Sequence, residues 1–302
     1  MSPVTPLILA ALVLALGGCS VRQLAVDNVG NAIAQGGAAF SSDDDPELVR
    51  AAAPFSLKLI ESLLAESPQH QGLLLAASRG FTQYAYAFLQ QEAEEAEGHD
   101  LARALQLEDR ARRMYRRARD YGLRGLALGK PDFERQLRAD PQRAVAGLSP
   151  AEVPLLYWTG ASWGALIGLS KNSPDVVGEL PVVEALMDRA LALDEAFDRG
   201  AIHTFLIGYE SVRQGVPGDP AARARGHFTR AMELSAGMDA APLLALAEAV
   251  CVPQQQRGEF EALLKQALRV DVERASENRL ANLVAQRRAR WLLSRTEYLF
   301  TN

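Results

Sequence analysis

Residues 71–91 read QGLLLAASRGFTQYAYAFLQQ, and the reading of this stretch decides the fold. Pro68 cannot sit inside a helix, so the spacing predicts a helix that starts just after it. Leu73, Ala77, Phe81, Tyr84 and Phe88 recur at steps of four, four, three and four, which gathers them on one helical face. Leu74, Leu75, Ala76 and Ala85 cover much of the remainder. A helix apolar nearly all round is buried on several sides. Arg79, Gln83, Tyr84 and Tyr86 interrupt that surface. Polar groups inside a helical core either bond to neighbouring backbone or face a wet cavity, and both readings stand for this helix.

The rest of the chain repeats the pattern. Alanine and leucine dominate, Gly and Pro fall between periodic runs, and β-branched runs are scarce, so the class is all-α. At 302 residues the chain buries a sizeable core. Its 32 basic and 37 acidic residues leave a net charge of −5, with no basic tail, which argues against a nucleic-acid partner. Cys19 and Cys251 make no disulfide framework. His70, His99, His203 and His227 lack metal-ligand spacing, so neither a metal nor a cofactor is expected. No Ser/His/Asp order, phosphate loop or paired carboxylates stand out, which argues against an enzyme.

Residues 3–18, PVTPLILAALVLALGG, have the shape of a signal-peptide core and are short for a membrane span. They lead into Leu16-Gly17-Gly18-Cys19, which resembles the bacterial lipobox. The expectation is a signal peptide over 1–18, a lipidated segment and linker over 19–45, and a helical body over 46–302. Acylated Cys19 anchors the mature chain to a membrane. Ser20 after it implies, by the sorting pattern of such lipoproteins, delivery to the outer membrane with the body in the periplasm. Cys251, in the apolar run AEAVCVP, reads as a buried inert thiol. Val21 to Ala39 is expected to form a short packed helix, and Ser41 to Asp45 to cap the next one, Pro46 to Glu66.

Within that helix Ser56, Ile60, Leu63 and Pro68 follow a small–bulky–bulky–proline spacing. It resembles the second helix of a tetratricopeptide (TPR) unit. The spacing returns at Ala111, Tyr115 and Ala118; at Val183, Met187 and Ala190; and at Ala224, Phe228 and Ala231. A looser return is Phe260, Leu264 and Ala267. The last three registers lie 41 and 36 residues apart, against roughly 34 for the usual repeat, so the units are degenerate. The architecture expected is a single-domain TPR-like array of helical hairpins, in which stacked pairs bury one another.

Acids from Glu92 to Asp100 precede arginines from Arg103 to Arg119. This reads as a solvated helix face laced with pairs such as Glu108–Arg112 and Asp109–Arg113, each worth about 0.3 to 0.5 kcal/mol, rather than as an anion-binding patch. Residues 153–169, VPLLYWTGASWGALIGL, set Tyr157, Trp158 and Trp163 among Gly160, Gly164 and Gly168. The glycine stripe admits a close helix, and the aromatics are either core or the walls of an apolar pocket. His203 has no acid at catalytic spacing and reads as structural. Asn282 falls near an apolar face and needs a partner. The candidate ligand cleft is therefore Arg79, Gln83 and Tyr84 on one helix with Tyr157, Trp158 and Trp163 on another, Arg79 gripping a carboxylate.

The order of motifs adds a resemblance. The run LLLAASRGFTQYAYAFLQQEAEEAE (73–97), then YWTGASWGALIGL (157–169), the stretch 180–210, GHFTRAMELSAG (226–237) and RLANLVAQRRARWLLSRTEYLF (279–300) resemble the TatT family. These are TPR-containing lipoproteins associated with TRAP (tripartite ATP-independent periplasmic) transporters. The resemblance covers Cys19 to the C-terminus and departs from the family in a short GVPGDP loop at 215–220. It implies a homotrimer that binds the periplasmic solute-binding protein and passes a small organic-acid or hydrophobic ligand through a cleft or pore. The other reading is a TPR scaffold that assembles proteins at the outer membrane.

Overall fold

Pairs of consecutive helices build the protein, and no strand occurs among the described residues. The computed structural model describes residues 27–34, 36–213 and 215–300. The signal peptide, Cys19 and Ser20 lie outside the described residues. Of the helix expected over Val21 to Ala39, residues 27–34 are helical, and a separate turn of helix follows at Ala38–Ser41.

Helix α1 (Pro46–Glu66) has the bounds that its sequence predicts. The Asp45 carboxylate accepts from the N–H groups of Glu47 and Leu48 at 3.0 and 3.1 Å, and Pro46 fills the first turn. Helix α2 starts at Gln71, with His70 Nδ1 accepting from the Leu73 N–H at 3.2 Å. It runs through Gln71–Tyr84 and a π-helical stretch, Ala85–Gln90, into Gln91–Ala96. Asp100 caps α3 (Leu101–Leu126). There follow α4 (Phe133–Ala139), α5 (Pro141–Val145), α6 (Val153–Gly168) and α7 (Leu180–Leu193). The chain continues with α8 (Ala201–Tyr209), α9 (Pro220–Leu234), and α10 (Ala241–Leu246), which carries a second π-helical stretch, Ala247–Cys251. Helices α11 (Arg257–Ala267) and α12 (Arg279–Ser294) complete the array.

Helix α2 packs on α3, α3 on α6, α6 on α7, α8 on α9, and each helix from α9 to α12 on the next. The first helices of successive pairs also touch: α2 meets α6, α8 meets α10, and α10 meets α12. The small–bulky registers lie at these contacts. Ala111, Tyr115, Ala118, Val183, Met187, Ala190, Phe260, Leu264 and Ala267 are all fully buried. Glycine works the same way where α3 crosses α6. A Cβ on Gly122 would overlap the Thr159 hydroxyl. The stripe on α6 is only partly used: a Cβ on Gly160 would press on Met187 and one on Gly164 on Phe205, but one on Gly168 would point into open space.

The array curls back on itself. Helix α12 touches α1 and the Ala38–Ser41 turn. Arg287 pairs with Glu95 at 2.7 Å, 192 residues away in sequence, and Arg288 with Glu94 at 2.7 Å. The charged face of α3 is occupied within the chain, as its spacing predicts. Arg112 pairs with Glu108 at 2.9 Å and Arg113 with Asp109. Among the described residues no helix is long and apolar enough to cross a membrane.

Candidate functional site

On α2 the residues Arg79, Gln83, Tyr86, Gln90 and Glu94 follow one another at steps of four, three, four and four, and none is buried. They form one half-open face of the helix. Tyr86 is 42% exposed, yet burial pushes its phenol up from its ordinary value. On α6, which packs against α2, Tyr157, Trp158, Ala161 and Ala165 share the matching half-open face. Tyr157 sits edge-on to Trp158, centroids 5.0 Å apart, and against Phe197 at 5.3 Å.

Phe197 belongs to a strained loop. Asp198 has φ 44° and ψ 49°, Arg199 has φ 56°, and Gly200 follows at φ 91°. Two successive non-glycine residues in the left-handed region cost about 1–3 kcal/mol each, so the surroundings must impose them. Arg199 supplies the anchor: its guanidinium donates to Asp239 at 2.7 Å and to Glu277. Asp239 also accepts from the Asn278 amide at 2.7 Å, and Arg279 donates to the Ser42 carbonyl at 3.3 Å. The loop after α7, the start of α12 and the segment before α1 thus meet at one end of the array. Arg79 reaches the same end, its guanidinium lying against Gly37.

The held loop presents Asp198. Burial pushes its carboxyl up; Arg199 opposes this, Asp239 adds to it, and Arg79 opposes it. Asp198 and burial together raise the Tyr157 phenol, burial being the larger cause. Arg79 and Asp198 nevertheless close no ion pair, and the Tyr157 hydroxyl makes no hydrogen bond among the described residues.

A second polar knot lies further along α2. Arg288 holds both oxygens of Glu248, with Nε at 3.0 and 3.1 Å, while Nη1 reaches Glu94 at 2.7 Å. Tyr86 is close enough to bear on the same charges. Burial works against the charge on Arg288, but Glu248, Tyr86 and Glu94 together outweigh it and hold its pKa up; burial also raises Glu248. Tyr86 and Glu248 stand on the two π-helical stretches, a distortion that frequently marks functional sites.

The structure divides the six nominated residues. Arg79, Tyr157 and Trp158 are half-buried and Gln83 is exposed, on two helices that pack on each other. Tyr84 packs against Phe88, centroids 5.6 Å apart, between two core clusters. Trp163 is fully buried, its Nε1 donating to Glu179 at 2.7 Å and its ring lying under Arg119 and Arg138. Tyr84 is five residues from Arg79 and Trp163 six from Tyr157, offsets that turn them away from the half-open faces. Asp198 was not among the nominated residues. Its only sequence signal is the DRG run ending at Gly200, and periodicity does not report a left-handed aspartate.

Elsewhere the titratable groups are structural. His203 Nδ1 lies 2.9 Å from His227 Nδ1, and burial lowers both imidazoles. Their acids come from other elements, Glu195 at 3.5 Å and Glu210 at 3.6 Å, rather than from nearby helical spacing. Cys251 is fully buried, and burial pushes its thiol up to about 12. Among the described residues no three His, Cys, Asp or Glu side chains gather as metal ligands.

A family model described as TRAP transporter T-component matches residues 42–300. A protein of Treponema pallidum (strain Nichols), described only as uncharacterized, is 28% identical over 301 residues, 94% of this chain and 93% of its own length. The family is that of a transport component rather than an enzyme class.

Proposed function

The chain belongs to the TRAP transporter T-component family, and from that premise we propose that it is a membrane-anchored periplasmic accessory of a TRAP system that binds the solute-binding protein and holds a small ligand on the half-open face of α2. The observation that carries the ligand half is the arrangement of unpaired polar groups on adjoining helices. Arg79 has no carboxylate partner among the described residues, and Tyr157 and Trp158 form an aromatic pair on the adjoining helix α6. An arginine fork with an aromatic flank suits a small organic acid with an apolar body.

Anchoring through acylated Cys19, outer-membrane location and the TPR identity of the helical pairs belong to the same reading. So does assembly as a homotrimer. On the outer side of α1, Leu48, Phe55 and Leu59 follow at steps of seven and four and are 57%, 74% and 39% exposed. Such a stripe supports contact with a protein, here a second copy of the chain or the solute-binding protein. It equally suits the second reading, a scaffold that recruits proteins without handling solute.

A pull-down of the body, residues 20–302, against the organism's TRAP solute-binding proteins tests the proposal. Capture of one of them supports it, and binding to none moves the reading to a scaffold. Isothermal titration with carboxylates tests the ligand half: Arg79→Ala is expected to weaken binding about tenfold or more, and unchanged affinity contradicts the role given to Arg79.

A further inference from the structure

Five exposed leucine and phenylalanine side chains fall on two separate surfaces of the chain: Leu48, Phe55 and Leu59 on one, Leu101 and Leu105 on the other. On the first, the stripe of α1, Phe55 stands out most, at 74% exposed. Lys58 follows three residues later, so a cation lies on the same side of the helix as the ring. Its ammonium meets Glu61 of its own helix at 2.5 Å, and the side chain stays open to water.

The second surface is a recess of about 200 Å³ between the end of α2 and the start of α3. Ala93, Ala104 and Leu169 line it together with Leu101 and Leu105, which are 59% and 53% exposed. A cavity of about 150 Å³ holds benzene, so a phenyl ring fits this one. Three glutamates share the lining. Arg288 takes Glu94 at 2.7 Å and Arg112 takes Glu108 at 2.9 Å, whereas Glu97 has no cation among the described residues. No residue of α1 lines the recess, so a chain does not fill it with its own Phe55.

We propose that the recess receives Phe55 of a second copy of this chain, with Lys58 of that copy reaching Glu97. The inference rests on the reading of the α1 stripe as a contact between copies and names the surface that the stripe meets. Size and charge both match: an aromatic ring with a cation one turn away faces an apolar hollow with a free carboxylate at its edge. An aromatic anchor filling a pocket is a common centre of protein interfaces. Knob and recess lie on different surfaces of one chain, so the contact runs head to tail, and contacts of that kind close into rings. A membrane is a poorer occupant of the stripe, because Asp44, Asp45 and Glu47 crowd Leu48 with charge that anionic headgroups repel.

Other places in the molecule carry less. The Arg288 knot already satisfies its own charges, and the His203–His227 pair is enclosed by Glu195 and Glu210. A recess of about 220 Å³ holds Asp271 with Arg269 and Arg274, and no exposed aromatic knob of matching charge answers it among the described residues.

The test uses the full chain in a mild detergent, read by light scattering. Phe55→Asp and Leu105→Asp, both at exposed positions, are each expected to reduce the native assembly to single chains. Each variant keeps one working surface, the first its recess and the second its knob. Tagged Phe55→Asp is therefore expected to retain untagged Leu105→Asp on a column, whereas neither variant retains a copy of itself. Lys58→Glu is expected to weaken assembly, and Glu97→Lys in the same chain to restore it. A native assembly that Phe55→Asp and Leu105→Asp leave intact overturns this inference but not the reading of a multi-copy assembly, as does a mixed pair that fails to hold together. A native chain that stays single overturns both. If that single chain captures the solute-binding protein and Phe55→Asp abolishes the capture, the stripe belongs to that protein and the inference falls. Circular dichroism of each variant separates lost contact from lost fold.

Discussion

Asn282 shows what a single polar side chain does on an apolar helix face. It is buried, accepts from the Ala240 N–H at 2.9 Å and donates to the Met238 carbonyl at 2.9 Å, so it ties α12 to the turn before α10. The sequence expected a partner for it, and the partner is backbone. Asn282→Ala strands a buried donor and acceptor, and a loss of about 2–3 kcal/mol is expected in urea unfolding; a change below 0.5 kcal/mol would contradict the assignment. Gln286, one turn on, donates to the Val270 carbonyl at 2.9 Å and closes the end of α11. Residue by residue, the amphipathic positions were legible and the handedness of Asp198 was not. Helical period fixes which residues share a face, whereas a positive φ in a non-glycine is imposed by distant anchors such as Asp239.

At the scale of elements, caps and closures decide where helices stop and meet. Before α6 a capping box joins Ser149 to Glu152, whose carboxylate accepts from the Ser149 N–H at 2.7 Å and hydroxyl at 2.6 Å and pairs with Lys130 at 2.8 Å. Burial opposes ionisation of Glu152, but Lys130 and Ser149 outweigh it and bring its pKa down to about 2. A depressed folded pKa means that this stabilisation is present above about pH 4.5 and is lost as pH falls towards 2. Glu152→Gln should therefore lower the melting temperature at pH 7 and flatten the acid limb between pH 4.5 and 2; a parallel acid limb in the variant contradicts this.

The closure of α12 on α2 is the other element-scale event. Arg288→Ala leaves Glu248 and Glu94 without their cation and is expected to destabilise by about 3 kcal/mol, whereas Arg288→Met with Glu248→Leu recovers much of it. Equal losses in the two variants would show that the pair is not what joins the helices. The bounds of α1 and the start of α2 were readable from Asp45, Pro46 and Pro68 because caps and prolines act locally. The pairing of Arg287 with Glu95 was not readable. Each charge is ordinary on its own helix, and no local pattern states which distant helix it meets.

At the scale of the molecule, hairpins that bury small–bulky registers curl until α12 touches α1. The left-handed turn at 198–200 is anchored at one end through Arg199 and Asp239, and the Arg288–Glu248 pair ties α12 to the π-helical stretch after α10. The fold class was legible throughout, because its signal is repeated in every helix. The cleft reading is legible only as far as exposure goes: Trp163 lies in the core, whereas Arg79, Gln83, Tyr84, Tyr157 and Trp158 keep exposed surface. The central claim is that this array works as one partner of a TRAP solute-binding protein. Multi-angle light scattering on the purified body mixed with that protein tests it most directly. The account predicts one species whose mass equals three copies of each chain; two separate peaks at the masses of the unmixed proteins would contradict it.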